Sequence, residues 1–140
     1  MDRDLIQRRL ADLQRNLKTL QQWKSVPYET WVASTERIWA AERGLQTSIQ
    51  IVLDVGNHLL AQLGENNVED YAGVIVGLGT AGILPVDFSE RIKPMAGFRN
   101  LLVHEYAELD LREVHRILRD QLTDFETFGR YVEAYLSKTR

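Results

Sequence analysis

Apolar side chains recur every three or four positions along most of this 140-residue chain, and this spacing constrains its fold more than any other feature. Such a period places the apolar side chains on one face of an α-helix. The clearest case runs from about Thr35 to Leu63, where Ser34 is a suitable N-cap and Gly64 a suitable stop. A helix of this length can span a whole domain, so we expect it to form the spine of the fold.

Other segments show the same period. It predicts helices over residues 4–24, 71–82, 83–105 and 110–136, with a bend at Pro94 in the fourth helix. Residues 28–33 are predicted to form a loop or a short helical turn. Because no segment alternates as a strand does, the sequence predicts an all-α, up-and-down bundle of about five helices. We expect one domain over residues 1–140.

Composition narrows the class of protein. A net charge of −3 argues against a broad, sequence-independent grip on nucleic acid, which needs a basic excess. The absence of cysteine excludes disulfides and thiolate metal sites, and it fits a reducing cytoplasm. No apolar run is long enough for a membrane span, and the first residues lack a signal-peptide pattern. We therefore expect a cytoplasmic protein.

The residues with the most chemistry lie together in segment 99–106. Arg99 carries a guanidinium that binds phosphate bidentately, and His104 an imidazole that titrates near neutral pH. Asn100 can orient the imidazole or donate to a phosphate, and Tyr106 offers a phenolic hydroxyl. These groups suffice to hold a phosphodiester and move protons around it without a metal.

Helix geometry leaves two arrangements open for this segment. Arg99 and His104 are five residues apart, about 140° around an ideal helix, so a straight helix would not bring them to one atom. Either the backbone departs from the helix near His104, or a second copy of the chain completes the site. A structural role is also open, because Arg and His near a helix end commonly cap carbonyls or pair with acidic neighbours.

The segment resembles a known motif. Residues 98–106, preceded by Met95-Ala96-Gly97, are similar to the Arg-x4-His-x-Tyr motif of the HEPN superfamily, and more narrowly of the HepT-like toxins. Residues 42–46, together with Ile49 and Asp54, resemble the first-half pattern of that group, as do residues 82–85 before the motif helix. The resemblance extends from about residue 34 to residue 128.

The resemblance implies a function and a set of partners. It implies a helical homodimer, paired with a minimal nucleotidyltransferase antitoxin that uses ATP. It also implies a metal-independent ribonuclease acting on tRNA or mRNA, in which Arg99, Asn100 and His104 are catalytic. The antitoxin would transfer AMP to Tyr106 and so silence the toxin. No cofactor, metal, membrane or DNA partner is implied.

Two other functions remain open beside this leading hypothesis. The chain could be a non-catalytic helical binding subunit of a nucleotidyltransferase complex. It could also be a plain dimeric helical protein whose motif only caps a helix. The first alternative differs from the leading hypothesis in whether Arg99 and His104 are needed for RNA cleavage. The second predicts that replacing His104 alters stability alone.

Several polar residues outside the segment have weaker claims to function. Glu42 and Arg43 could line the pocket, although a helix ion pair is the more ordinary role. Asp54 and His58 are four apart and could form a pair or half a metal site, which no further His or Cys completes. His115 lies among charged residues and is expected to be solvated.

Two further groups are expected to be structural. The tryptophans around one helix junction are expected to be core or interface anchors: Trp23, Trp31 and Trp39. The arginines of the first helix are expected to form a charged face without a specific partner: Arg8, Arg9 and Arg15.

Overall fold

A computed structural model of the chain describes residues 2–65, 68–104 and 109–139. Within these ranges the regular structure is helical, with no strand. The α-helices are α1 (Arg3–Leu20), α2 (Tyr28–Val32), α3 (Thr35–Gln62), α4 (Tyr71–Thr80), α5 (Val86–Ile92), α6 (Met95–His104), α7 (Leu111–Asp120) and α8 (Leu122–Lys138). A 3-10 turn, Gln21–Trp23, follows α1. The all-α prediction is confirmed.

Helix α3 is the spine that the sequence predicts. It begins after Ser34, whose side chain accepts a hydrogen bond from the Arg37 backbone N–H, and it is followed by Gly64 at φ +82°. Helices α1, α2, α4, α6, α7 and α8 all pack against it. Its buried side chains fill the core of the bundle: Ala41, Leu45, Ser48, Ile49, Ile51, Val52, Leu53, Val55, Leu59 and Leu60.

Two of the predicted helices are each divided in the structure. The predicted helix 83–105 is interrupted rather than bent, because Pro94 lies in the turn between α5 and α6 and has no N–H to continue the ladder. The predicted helix 110–136 breaks at Gln121, whose φ of −122° and ψ of 4° are not helical. The estimate of about five helices is therefore too low for the described residues. Residues 28–32 form the short helix α2.

Burial distinguishes the three tryptophans. Trp23 and Trp31 are core residues, as expected, whereas Trp39 is 67% exposed on α3, so an interface role stays the prediction for it. No helix in the described part of the chain combines the length and apolar character needed to cross a membrane.

Candidate active site

Helix α6 carries the motif residues and has two different faces. Its apolar face is buried in the core through Ala96, Phe98 and Leu102. Arg99 is half-buried, and His104, the last residue of the helix, is exposed. The amphipathic pattern of α6 therefore anchors the helix on one side and leaves its motif residues accessible on the other.

The Arg99 guanidinium lies between three helices. Its Nε donates to Oε1 of Gln50 on α3 at 3.0 Å, and its Nη1 donates to Oδ1 of Asn100 at 3.2 Å. The guanidinium carbon lies 4.8 Å from the centre of the Tyr71 ring on α4, a cation–π distance. None of the ion pairs among the described residues includes Arg99. Each of these side-chain partners is neutral, so the contacts orient the cation without cancelling its charge.

The hydrogen bonds continue beyond Gln50. Gln50 Nε2 donates to Oδ1 of Asp54 at 2.8 Å, and Oδ2 of Asp54 accepts from Nη2 of Arg9 on α1 at 3.0 Å. Arg9 thus has a specific ion-pair partner, contrary to the expectation that the α1 arginines have none. We call Arg9, Asp54, Gln50 and Arg99 the Arg99 network. It joins α1, α3 and α6.

A recess of about 470 Å³ adjoins the network. Asn100 lines it from α6, Tyr71 from α4 and Asn57 from α3. The remaining lining includes acidic side chains, Asp54, Glu69 and Asp70. The recess thus has a mixed lining, in which amide groups and carboxylates lie beside apolar side chains.

The motif residues are only partly brought together within one chain. Arg99 and Asn100 are hydrogen-bonded, whereas His104 has no hydrogen bond to either among the described residues. Helix α6 continues through His104, so the backbone does not leave the helix between the two candidate catalytic residues. A departure from the helix just after His104 would lie outside the described residues, so both arrangements stay predictions. Tyr106 lies outside the described residues.

Glu42 and Arg43 lie away from Arg99. Glu42 borders a recess of about 430 Å³ with Trp39 and Leu111 and without any motif residue, and burial there raises the pKa of Glu42. Arg43 is exposed, and no ion pair joins it to Glu42 in the described part of the chain. A contribution of either residue to the site stays a prediction.

The other predicted polar residues have structural surroundings. Asp54 pairs with Arg9 rather than His58, and the described residues hold no group of three His, Cys, Asp or Glu side chains suited to a metal. His115, expected to be solvated, is only 6% exposed. Its Nε2 lies 2.7 Å from the carbonyl oxygen of Val26, and its ring packs against Tyr28 and Trp31. The expectation for His115 is wrong, because α7 turns this residue toward α2.

Comparison with known proteins assigns the family. The family described as Ribonuclease HepT-like matches residues 4–132, which is nearly the whole chain. The chain belongs to the HepT-like ribonucleases. The predictions of the family, of the all-α fold and of a ribonuclease are confirmed.

Two curated relatives and one solved structure show how far the HepT-like similarity extends. A tRNA nuclease HepT from Aphanizomenon flos-aquae is 28% identical over 132 residues, covering 94% of this chain and 90% of the relative. An mRNA nuclease HepT from Shewanella oneidensis is 29% identical over 90 residues, covering 64% of this chain and 68% of the relative. A tri-AMPylated Shewanella oneidensis HEPN toxin, solved in complex with an MNT antitoxin, has a TM-score of 0.85 at 25% identity, covering 96% and 99% of the two chains.

Sequence reasoning missed two partners of Arg99 in this HepT-like chain. Neither Gln50 nor Tyr71 is among the residues that the sequence predicts for the site. One local signal pointed to the first: Gln50 and Asp54 are polar residues four apart on a largely apolar helix, and so share a face. No local signal pointed to Tyr71, because its contact with Arg99 depends on how α4 packs.

Proposed function

We propose that this chain is the toxin of a toxin–antitoxin pair, a metal-independent endoribonuclease of the cytoplasm that is silenced by AMP transfer to Tyr106. Arg99 binds the scissile phosphate, His104 transfers protons, and Asn100 donates to the phosphate or orients the imidazole. Family membership and the curated nuclease relatives support this proposal.

The observation that carries the proposal is the environment of Arg99. An arginine that serves only structure is commonly paired with a carboxylate, which neutralises its charge. Arg99 is held instead by the amide oxygens of Gln50 and Asn100 and by the ring of Tyr71. Its positive charge is therefore available to an anion arriving at the surface of α6. A phosphodiester is such an anion, and its geometry suits a guanidinium.

The proposed reaction is an internal transesterification. A base removes the proton of the ribose 2′-hydroxyl, and the 2′-oxygen attacks the adjacent phosphorus. The bond from phosphorus to the 5′-oxygen breaks, and an acid supplies a proton to that leaving oxygen. Arg99 stabilises the charge that grows on the phosphoryl oxygens. The products are a 2′,3′-cyclic phosphate and a 5′-hydroxyl.

We propose that two copies of the chain form the site. Because α6 is helical through His104, Arg99 and His104 of one chain point about 140° apart, too far for one phosphate. In a homodimer with twofold symmetry, Arg99 of one copy can meet His104 of the other. The two imidazoles would then act separately as base and acid.

AMP transfer to Tyr106 would act as the switch. The phenolic oxygen attacks the α-phosphorus of ATP, pyrophosphate leaves and the hydroxyl proton is released. The product adds bulk and negative charge two residues after His104, which opposes the binding of RNA phosphate. The AMPylated toxin solved with its MNT antitoxin supports a nucleotidyltransferase partner for this chain.

RNA cleavage by the purified, unmodified protein in EDTA tests the proposal, beside His104→Ala and Arg99→Ala and with the product ends mapped. We expect cleavage of bulk tRNA or mRNA by the parent alone, leaving cyclic phosphate ends. No cleavage by the parent, with Tyr106 shown to be unmodified by mass spectrometry, would favour a non-catalytic binding subunit instead.

A further inference from the structure

The side chain that orients Arg99 comes from a distant part of the sequence. Gln50 lies on α3, 49 residues before Arg99, and its Oε1 accepts the Arg99 Nε–H at 3.0 Å. Gln50 is itself half-buried and bonded on its other side to Asp54 at 2.8 Å. Asp54 in turn accepts from Arg9 of α1 at 3.0 Å. The orientation of Arg99 thus rests on an ordered chain of side chains across three helices.

The order of charges along these hydrogen-bonded side chains determines the orientation of the Gln50 amide. A carboxylate only accepts hydrogen bonds, so Asp54 requires the Nε2 of Gln50 to face it. The amide oxygen then faces Arg99 and accepts its Nε–H. Arg9 offsets the negative charge of Asp54 on the far side. Gln50 therefore transmits the fixed position of Asp54 to Arg99 without placing a carboxylate on the guanidinium.

We propose that Gln50 is a positioning residue for the cleavage reaction, and that Asp54 and Arg9 fix its amide. This inference rests on the proposed function, in which Arg99 binds the scissile phosphate. A guanidinium has five N–H bonds; Gln50 and Asn100 take two of Arg99's, which leaves three for the phosphate. With the Nε–H held and Tyr71 against its face, the guanidinium plane is fixed before RNA arrives. This preorganisation lowers the barrier to the reaction.

Two substitutions separate orientation from charge. Gln50→Met keeps the length of the side chain and removes both hydrogen bonds, so the guanidinium can rotate. We expect kcat to fall roughly tenfold to a hundredfold, with a smaller change in KM. Gln50→Glu places a carboxylate directly on Arg99, where it competes with phosphate. We expect this variant to raise KM about tenfold or more, since RNA must displace the new ion pair.

The controls use residues of the same type outside the network. Gln62→Met changes an exposed glutamine on the same helix and should leave both constants within about twofold. At the far end, Arg9→Ala should lower kcat more than Arg8→Ala, because Arg8 is the exposed neighbour and only Arg9 is bonded to Asp54. Thermal melting of every variant separates altered positioning from lost fold.

A spectroscopic measurement tests the inference without RNA cleavage. The Arg99 Nε–H signal, assigned by its loss in Arg99→Ala, should be protected from solvent exchange in the parent and exposed in Gln50→Met. Titration with inorganic phosphate should shift this signal in the parent more strongly than the residual signal in Gln50→Met. If Gln50→Met lowers kcat and exposes the Arg99 Nε–H to solvent exchange, Gln50 positions Arg99. If both the exchange protection and kcat are unchanged, the inference is overturned.

The kinetic and the spectroscopic measurements together keep the inference separate from the proposed function. If the parent cleaves no RNA, the proposed ribonuclease activity fails, and the exchange and phosphate measurements decide the role of Gln50 alone. A protected Arg99 Nε–H that depends on Gln50 would then still support positioning of an anion-binding arginine. Equal exchange in parent and Gln50→Met would overturn it.

Discussion

Arginines on the two sides of α6 have opposite kinds of partner. On one side, Arg99 is held by the neutral amides of Gln50 and Asn100 and by the ring of Tyr71. On the other side lies a cavity of about 500 Å³, lined by α6, α7 and α8. There Arg116 binds both carboxylate oxygens of Glu113, and Arg91 lies 3.0 Å from the buried Asp124.

This contrast separates an arginine set up to bind an anion from those that stabilise local structure. A guanidinium on a carboxylate has little net charge to offer a phosphate, whereas one on an amide oxygen keeps its charge. Arg116 and Arg91 are thus neutralised at their cavity. Arg99 combines a fixed orientation with a charge that no ion pair compensates. It also belongs to the motif that the sequence alone identifies.

The strongest test of the contrast compares Arg99→Ala with Arg116→Ala. Removing Arg99 should lower the rate of RNA cleavage by about 10²- to 10³-fold, the usual cost of one donor to a charged transition state. Removing Arg116 should leave the rate within about twofold, because its pair with Glu113 is partly exposed and contributes little. Single-turnover cleavage by both variants measures the difference. Equal losses would show that the partner of an arginine does not predict its role.

A second test disturbs the helix that carries Tyr71 to Arg99. A Cβ added at Gly79 of α4 would clash with Ser89 Oγ and lie 3.0 Å from Ser89 Cβ on α5, so Gly79→Ala requires Ser89 or the two helices to shift. We expect a loss of about 1–3 kcal/mol in the free energy of unfolding. Gly129→Ala on α8 is the control, since nothing lies within 4 Å of the added atom. Urea denaturation of both variants should show destabilisation in Gly79→Ala only.

The limits of sequence-based prediction follow the same division between local and distant signals. The bounds of α3 were predictable, because Ser34, Gly64 and a regular apolar stripe are all local to that helix. The break at Gln121 was not, because the apolar stripe continues through it from Leu118 to Leu122 without Pro or Gly. Two helices are more stable there than one continuous helix only because of how α8 packs in the bundle.

The candidate site was predictable to a similar extent. The motif residues are neighbours in sequence, so their chemistry could be inferred from the chain alone. The contact between Arg99 and Gln50 depends on the docking of α6 against α3, which no local pattern encodes. The burial of His115 has the same origin, since it requires α7 to pack against α2. The contacts that could not be predicted are those between helices that are distant in sequence.

A third test concerns Asp124 on the cavity side. Burial raises the pKa of this carboxyl, and Arg91 only partly opposes the effect. The folded state therefore binds the proton more tightly than the unfolded chain, so stability falls as the pH rises from the ordinary pKa of about 3.9 through the raised value. Asp124→Asn cannot ionise and can still accept from Arg91. Relative to the parent, it should gain about 1 kcal/mol between pH 3 and pH 7.

Asp120 provides a control of opposite sign for that measurement. Its hydrogen bond from Arg119 lowers its pKa, so its contribution to stability is present at neutral pH and is lost as the pH falls through the lowered value. Asp120→Asn should therefore be relatively less stable at pH 7 than at pH 3. Denaturant titrations of both variants at the two pH values check the signs, and the same sign for both would contradict the assignment.

The smallest expected effect comes from the ring that lies against Arg99. Tyr71→Leu removes the cation–π contact at 4.8 Å, which is worth about 0.5–1 kcal/mol at an accessible site, so cleavage should fall about twofold to fivefold. Tyr71→Phe keeps the ring and should stay within twofold of the parent. The matched control is Tyr28→Leu, which removes the ring under Arg112, an arginine outside the motif, at 4.3 Å. It should leave cleavage unchanged, because Arg112 contacts none of the motif residues in the described structure. A loss in Tyr71→Phe as large as in Tyr71→Leu would assign the effect to the hydroxyl, and neutral support of Arg99 would then rest on the two amides alone.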